Sequence, residues 1–130
     1  MLARPFDLST DYSDVCSWWE QQECQVIPES MLSTTGFMIE QGDDKLLAGW
    51  VYHTNSSIGF LEFAVGNPSF KGEMRNDAFN IFFDAVFKYS KLHGIKNIIS
   101  TTSHSKMPKR LTDVGFIKIN ENITNFMRSV

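Results

Sequence analysis

The most strongly patterned stretch of the chain runs from Ile58 to Gly94. It opens as a nearly continuous apolar run to Val65, breaks at Gly66-Asn67-Pro68, crosses a short loop with Lys71-Gly72, and then changes to helical period. Asp77, Asn80, Asp84, Lys88 and Lys91 form one polar stripe at spacings of three and four. Ala78, Phe79, Ile81, Phe82, Phe83, Ala85, Val86, Phe87, Tyr89 and Leu92 cover the remaining surface. An apolar surface that wide predicts a helix covered on more than one side, lying across a sheet and flanked by a second element. Gly94 suits the position just past its end, where glycine takes left-handed backbone at little cost, and His93 caps it. A strand, a tight break and a helix together present unpaired N–H groups and a favourable dipole to an anion, which makes this junction the predicted ligand site.

The other elements follow from shorter patterns. Met1–Asp7 reads as extended, because Pro5 biases its neighbour away from helix, with Leu2 and Phe6 directed inward. Ser9 or Thr10 offers an N-cap for a helix to about Gln22, with Asp11 and Asp14 in its first turn and Val15, Trp18 and Trp19 on its apolar side. Glu23–Thr35 is a polar loop broken by Pro28, with one helical turn at Glu29–Leu32. Gly36–Gln41 and Lys45–Thr54 form a hairpin across Gly42-Asp43-Asp44, and Ile58–Val65 follows Asn55-Ser56-Ser57 as a third strand of an antiparallel meander. Ile95–Thr101 reads as a buried strand parallel to its predecessor through the crossover helix. Pro108 begins a short helix that stops before Gly115, and Phe116–Asn120 with Thr124–Met127 form a closing hairpin. The layout is β-α-β-β-β-α-β-α-β-β, an α/β (α+β) fold built as one domain over residues 1–130.

Composition narrows the classes of function. Forty-two per cent hydrophobic residues and eleven phenylalanines exclude a disordered chain. A net charge of −3 gives no electrostatic case for nucleic acid, although Lys106, Lys109 and Arg110 make a local basic patch. No apolar run approaches the roughly 20 residues that span a bilayer, so no membrane partner is expected. Cys16 and Cys24 have no companions that would complete a metal site, and His53, His93 and His104 are scattered along the chain, so no metal is expected. Two thiols without a secretory leader fit a reducing, cytoplasmic setting. Exposed aromatics such as Phe126 near the final strands leave a homodimer across a sheet edge open.

This order of elements, with Val65-Gly66-Asn67-Pro68 before the central helix and Leu111–Phe116 near the end, resembles the GNAT superfamily of N-acetyltransferases. Trp18-Trp19, Pro28, Gly36-Phe37, Ala48–Tyr52, Leu61-Glu62 and Asn67-Pro68 are similar to a small group of that superfamily common in bacteriophages. The resemblance implies a mostly antiparallel sheet with a V-shaped splay between the strands before and after the central helix. It implies acetyl-CoA in that splay, its pantetheine pairing with Phe63, Ala64 and Val65 and its pyrophosphate on the segment Lys71, Gly72, Glu73, Met74, Arg75 and Asn76, with Ser103 nearby. In the family's Q/R-x-x-G-x-G/A pattern, Lys71 keeps the leading cation, Met74 and Asn76 take the two small-residue positions, and Arg75 is placed to compensate by pairing with phosphate.

By the same resemblance Glu62 is the general base for an amine acceptor, and a backbone amide around Phe63–Val65 polarises the reacting carbonyl. The family's tyrosine acid falls at Leu111, leaving Tyr52, Ser100, Ser103 and His104 as substitutes. The Glu23–Thr35 loop would flank the acceptor, with Glu23 and Glu29 suited to a cationic amine. Two other readings stand beside transfer: a GNAT-shaped binding or virion-associated protein that no longer acylates, and an α/β domain whose cleft takes another anion.

Overall fold

A computed structural model describes residues 1–130. Strand β1 (Leu2–Pro5), helix α1 (Leu8–Gln21), strands β2 (Thr35–Gln41), β3 (Asp44–His53) and β4 (Ile58–Gly66), helix α2 (Glu73–Leu92), strand β5 (Asn97–Ile99) and helix α3 (Met107–Asp113) follow in that order. The strands form one sheet in sequence order, antiparallel from β1 to β4, with β5 parallel to β4. The architecture is the mixed, mostly antiparallel α+β arrangement predicted, and no helix is long and apolar enough to cross a membrane.

Alternation along the strands divides the core into two layers. Ile39, Leu47, Val51 and Leu61 face α2 and meet Ala78, Phe79, Phe82, Phe83 and Val86. Met38, Ala48 and Trp50 face α1 and meet Val15, Trp18 and Trp19. The helix α2 is covered on a second side, as its wide apolar surface requires: Leu111 of α3 joins the same cluster, and the Phe116 ring lies 6.4 Å from Phe83 and 6.1 Å from Phe87. Its last turn projects beyond that cover, so Leu92 is exposed, contrary to the sequence pattern. His93 and Gly94 end the helix as predicted, the His93 amide bonding back to Tyr89 and Ser90 and Gly94 taking φ +72°.

Four expectations are corrected. Asp7, not Ser9 or Thr10, caps α1, its carboxylate accepting both the amide and the hydroxyl of Ser9 at 3.0 and 2.7 Å. Leu2 points outward from the edge strand, while Phe6 packs inward with its ring 5.0 Å from Trp50. The strand expected over Ile95–Thr101 shortens to Asn97–Ile99. The closing hairpin is absent: Asn122 holds a left-handed turn and Lys118 pairs with Glu121, but no ladder joins the two arms. Phe116 turns in toward α2, β5 is only three residues long, and an isolated two-stranded hairpin has little stability without a face to pack on.

The α1 layer is tied to the sheet by charge. Asp11 is fully buried and takes Arg4 of β1 through both guanidinium nitrogens at 2.7 and 2.9 Å, Lys45 of β3 at 2.9 Å and the Asp7 amide at 2.8 Å. Burial pushes its carboxyl upward, but the bonds from Arg4, the Asp7 amide and Lys45 outweigh that and hold it well below the usual carboxylate range. A depressed folded value means stability that is in place above the unfolded pKa of about 3.9 and is lost as pH falls toward the folded one. Asp11→Asn should cost about 1–3 kcal/mol at neutral pH, because it removes the charge that Arg4 and Lys45 share while each keeps one carboxylate partner, Glu40 and Asp14. Urea unfolding at pH 7 and pH 3 checks this: the gap between wild type and variant should narrow at the lower pH.

Candidate functional site

The site begins with an irregularity in β4. Trp50 pairs with Glu62 and Ala48 with Val65, so Phe63 and Ala64 together stand opposite the single residue Gly49. This is a β-bulge, and Phe63 adopts φ +63°, a left-handed backbone that a phenylalanine rarely takes. The bulge reverses the alternation: Leu61 and Ala64 pack on the α2 side, Phe63 and Val65 on the α1 side. Gly49 belongs here because a Cβ on it would fall 2.4 Å from the Phe82 ring of α2.

Beyond the bulge β4 and β5 part. They pair only through Ile58–Phe60 and Asn97–Ile99, and the chain then leaves the sheet at Ser100. Where the ladder would continue, the Glu62 carboxylate accepts the Thr101 amide at 3.3 Å instead. The divergence opens into a concavity of about 2210 Å³ that also runs along the end of α1 and residues 116–123. Glu62, Phe63, Ala64 and Val65 line one wall, Ser103 and His104 the other, and Lys71, Gly72 and Arg75 the end at α2. The V-shaped splay is therefore present.

Glu62 is half-buried, and burial pushes its carboxyl above the usual glutamate range against the opposing bond from the Thr101 amide. Tyr52, expected beside it, is not in the cleft lining: its hydroxyl donates to the Met31 carbonyl at 2.7 Å and its ring meets Phe63 edge-on. Burial raises the Tyr52 phenol, and the Glu62 charge adds to that. His104 is exposed on the opposite wall, and its Nδ1 accepts the Lys106 amide at 3.2 Å, which leaves Nε2 as the protonated nitrogen of the neutral ring. Leu111, where the resemblance places a tyrosine, is buried in the α2 layer.

The end of the cleft at α2 differs from a glycine loop. Glu73–Asn76 belong to the first turn of α2, and Gly72 precedes it at φ +62°. The first main-chain bond of that turn runs from Asn76 to Gly72 at 3.0 Å, so the amides of Glu73, Met74 and Arg75 precede it. Neither bulky replacement enters the cleft: Met74 packs on the core, and Asn76 turns away to accept Arg110 at 2.8 Å. Glu73 also lies outside the lining. Arg75 occupies the space that a small loop leaves, its guanidinium pressed against Gly66, where a Cβ would fall within 2.6–2.8 Å of it. Its Nη2 donates to the Asn67 carbonyl at 2.6 Å, while its buried Nε has no partner.

Arg110 of α3 is the residue that the sequence left unassigned to the site. It lies in the cleft lining with its guanidinium 4.4 Å above the Phe79 ring, and neither it, Arg75 nor Lys71 pairs with a carboxylate. Burial lowers both guanidiniums from their ordinary value, and Arg110 adds charge repulsion on Arg75. The basic patch predicted at Lys106, Lys109 and Arg110 is divided, since Lys109 pairs with Asp113 at 2.7 Å.

Two further expectations change. From the Glu23–Thr35 loop the cleft takes Cys24, Gln25 and Ile27, not Glu23 or Glu29. His53 and His93, distant in sequence, meet around Tyr89: His53 Nε2 lies 2.6 Å from the Tyr89 hydroxyl, and the two imidazoles are 6.1 Å apart. His104 is not with them, and no group of three or more metal-type ligands forms.

No family profile matches the chain, and no curated protein is a recognisable sequence relative. Solved structures do share its fold. A Thermus thermophilus protein aligns at TM-score 0.71 and 12% identity over 100% of this chain and 99% of its own. A GNAT family acetyltransferase from Streptococcus pneumoniae aligns at 0.65 and 13%, over 98% and 96% of the two chains. An aminoglycoside N-acetyltransferase in complex with CoA aligns at 0.66 and 20%, over 98% and 99%. The chain thus has the fold of the GNAT acetyltransferases.

A raised folded pKa at Glu62 has the opposite sign to Asp11: its charged form is disfavoured by folding, so its contribution to stability declines as pH rises above the ordinary glutamate value of about 4.3. Glu62→Gln keeps an acceptor for the Thr101 amide and should be at least as stable as wild type at pH 7. Thermal unfolding reads this directly, and a clear loss of stability would contradict the raised pKa.

Proposed function

We propose that this chain is an acetyl-CoA-dependent N-acetyltransferase acting on a primary amine of a small molecule or protein. The observation that carries the reading is the cleft itself. A half-buried glutamate and a bulged strand stand at its inner end, and three cations without carboxylate partners stand at the start of α2.

The residues fit the group they would hold. Arg75 with its unpartnered buried Nε, Arg110, Lys71 and the first-turn amides of α2 suit a pyrophosphate, for which charge-assisted bonds are the strong kind. They replace a glycine loop with side-chain cations. The open edge of β4 at Phe63–Val65 suits the amides of a pantetheine arm. Acetyl-CoA supplies an activated acetyl thioester. Glu62, its carboxyl raised by burial, takes a proton from the acceptor ammonium directly or through one water. The peptide group that the bulge leaves outside the ladder is a fixed donor for a carbonyl developing negative charge. His104 presents an N–H on the facing wall and is assigned as the acid, with Ser103 beside it; Tyr52, bonded to Met31, positions Phe63 and the Glu62 wall.

One observation favours a second reading, a GNAT-shaped binding protein without transfer, as in the phage-type likeness. Leu111 is buried where a proton donor is expected and has nothing to donate. Cofactor affinity and turnover separate the two readings. Arg75→Ala and Arg110→Ala should each weaken acetyl-CoA binding, measured by calorimetry, by about 1–3 kcal/mol. Glu62→Gln should reduce acetyl transfer in an amine screen by about 100-fold or more while leaving that affinity near wild type. Transfer to an amine would select the acetyltransferase; no binding at millimolar acetyl-CoA would remove it and leave the binding protein.

A further inference from the structure

Charge is spread very unevenly over this molecule. The chain carries fifteen acidic and twelve basic residues, yet the concavity beside β4 is lined by seven of the cations and only two of the acids. Lys118 and Glu121 on its outer rim neutralise one another at 2.7 Å. Lys71, Arg75, Lys91, Lys96, Lys106 and Arg110 pair with no carboxylate, which leaves Glu62 as the one unpaired anion that faces them. A protein with net negative charge thus holds a positive potential in the space a ligand must enter. Each further positive charge on a ligand meets repulsion there.

The wall on the α1 side of Glu62 adds no second anion. Gln21, Gln22, Cys24, Gln25 and Ile27 line it, whereas Glu23, at φ +56° where α1 ends, and Glu29 stay outside. Hydrogen bonds hold this wall in place: the Tyr12 hydroxyl donates to the Ile27 carbonyl at 2.7 Å, Tyr52 to the Met31 carbonyl at 2.7 Å, and the Gln22 amide to the Trp18 and Gly66 carbonyls at 3.0 and 2.9 Å. Glu62 lies opposite Trp50 on the same face of the sheet, and the half-buried ring of Phe63 follows it. The carboxylate is surrounded by amides, a thiol and apolar groups.

Given the transfer reading of the cleft, on which this depends, we infer that the acceptor carries a single ammonium on an otherwise uncharged body, and that polycationic amines are rejected. One carboxylate offsets one ammonium, and Phe63 gives the rest of the molecule an apolar surface. A second ammonium would have cations on one side and neutral amides on the other, so it would lose hydration without gaining a partner. Acetyl-CoA held as proposed brings its phosphates to Lys71, Arg75 and Arg110 and its uncharged pantetheine to Phe63–Val65. It supplies no second anion beside Glu62.

Two amines of one skeleton test this: para-methylbenzylamine, with one ammonium, and para-xylylenediamine, with two. Each is titrated by calorimetry into the protein alone and into protein saturated with CoA. The monoamine should bind about tenfold or more tightly than the diamine. Gln25→Glu puts a second carboxylate on the neutral wall at an exposed position, so the fold should persist by circular dichroism and the diamine should gain about tenfold. Failure of the transfer reading is seen separately, as absence of CoA binding, while the charge preference is still read on the free protein. A diamine bound by wild type as tightly as the monoamine, no binding of either at millimolar concentration, or a Gln25→Glu variant with an unchanged ratio would each overturn the proposal.

Discussion

The close approach of Phe82 to the backbone of Gly49 is the contact on which the rest of the arrangement turns. A residue without a side chain lets α2 sit down on the sheet at the point where β4 carries one residue too many. Packing there is dense enough that one methyl group would have no room. The consequences run in two directions. Along the strand, the bulge swaps which residues face which layer and directs Glu62 and Phe63 away from α2. Along the helix, the seat of Phe82 fixes where the first turn of α2 comes to rest, and that turn carries Arg75 to the mouth of the cleft.

Most of the fold was legible because its signals are local. The meander, the long helix, the glycine stop at Gly94 and the proline-started α3 each rest on period or on a residue with one conformational role. The misses share a cause as well. The alternation in Phe116–Met127 is a true strand pattern, but pairing depends on a neighbour that the pattern does not name. Leu92 keeps helical phase yet lies past the end of what covers the helix. Asp7 and Ser9 were both chemically competent caps, and the choice between them was made by how β1 enters the helix, a tertiary matter.

The cleft was partly readable. A strand, break and helix located its end at α2, and Glu62 in its wall followed from the resemblance. The mapped loop gave Met74 and Asn76 the wrong weight, because a linear pattern cannot show that in a helical turn successive side chains point in different directions. Met74 goes to the core and Asn76 to Arg110, leaving the cleft to Arg75. Arg110 itself is 35 residues downstream of Arg75, and only the seating of α3 against Phe79 brings the two guanidiniums together.

The strand order bears on how the molecule assembles. β2, β3 and β4 are joined by tight turns and stand beside one another in the order they are synthesised, so their pairing closes small loops at low entropic cost. β5 reaches β4 only after α2 has formed and crossed the sheet, and it gains just three residues of parallel pairing when it arrives. The wall that makes the cleft is therefore held to the sheet by its shortest ladder. Few main-chain bonds join the cleft wall to the sheet, while the long ladders of the meander and the buried Asp11 tie the rest of the scaffold together.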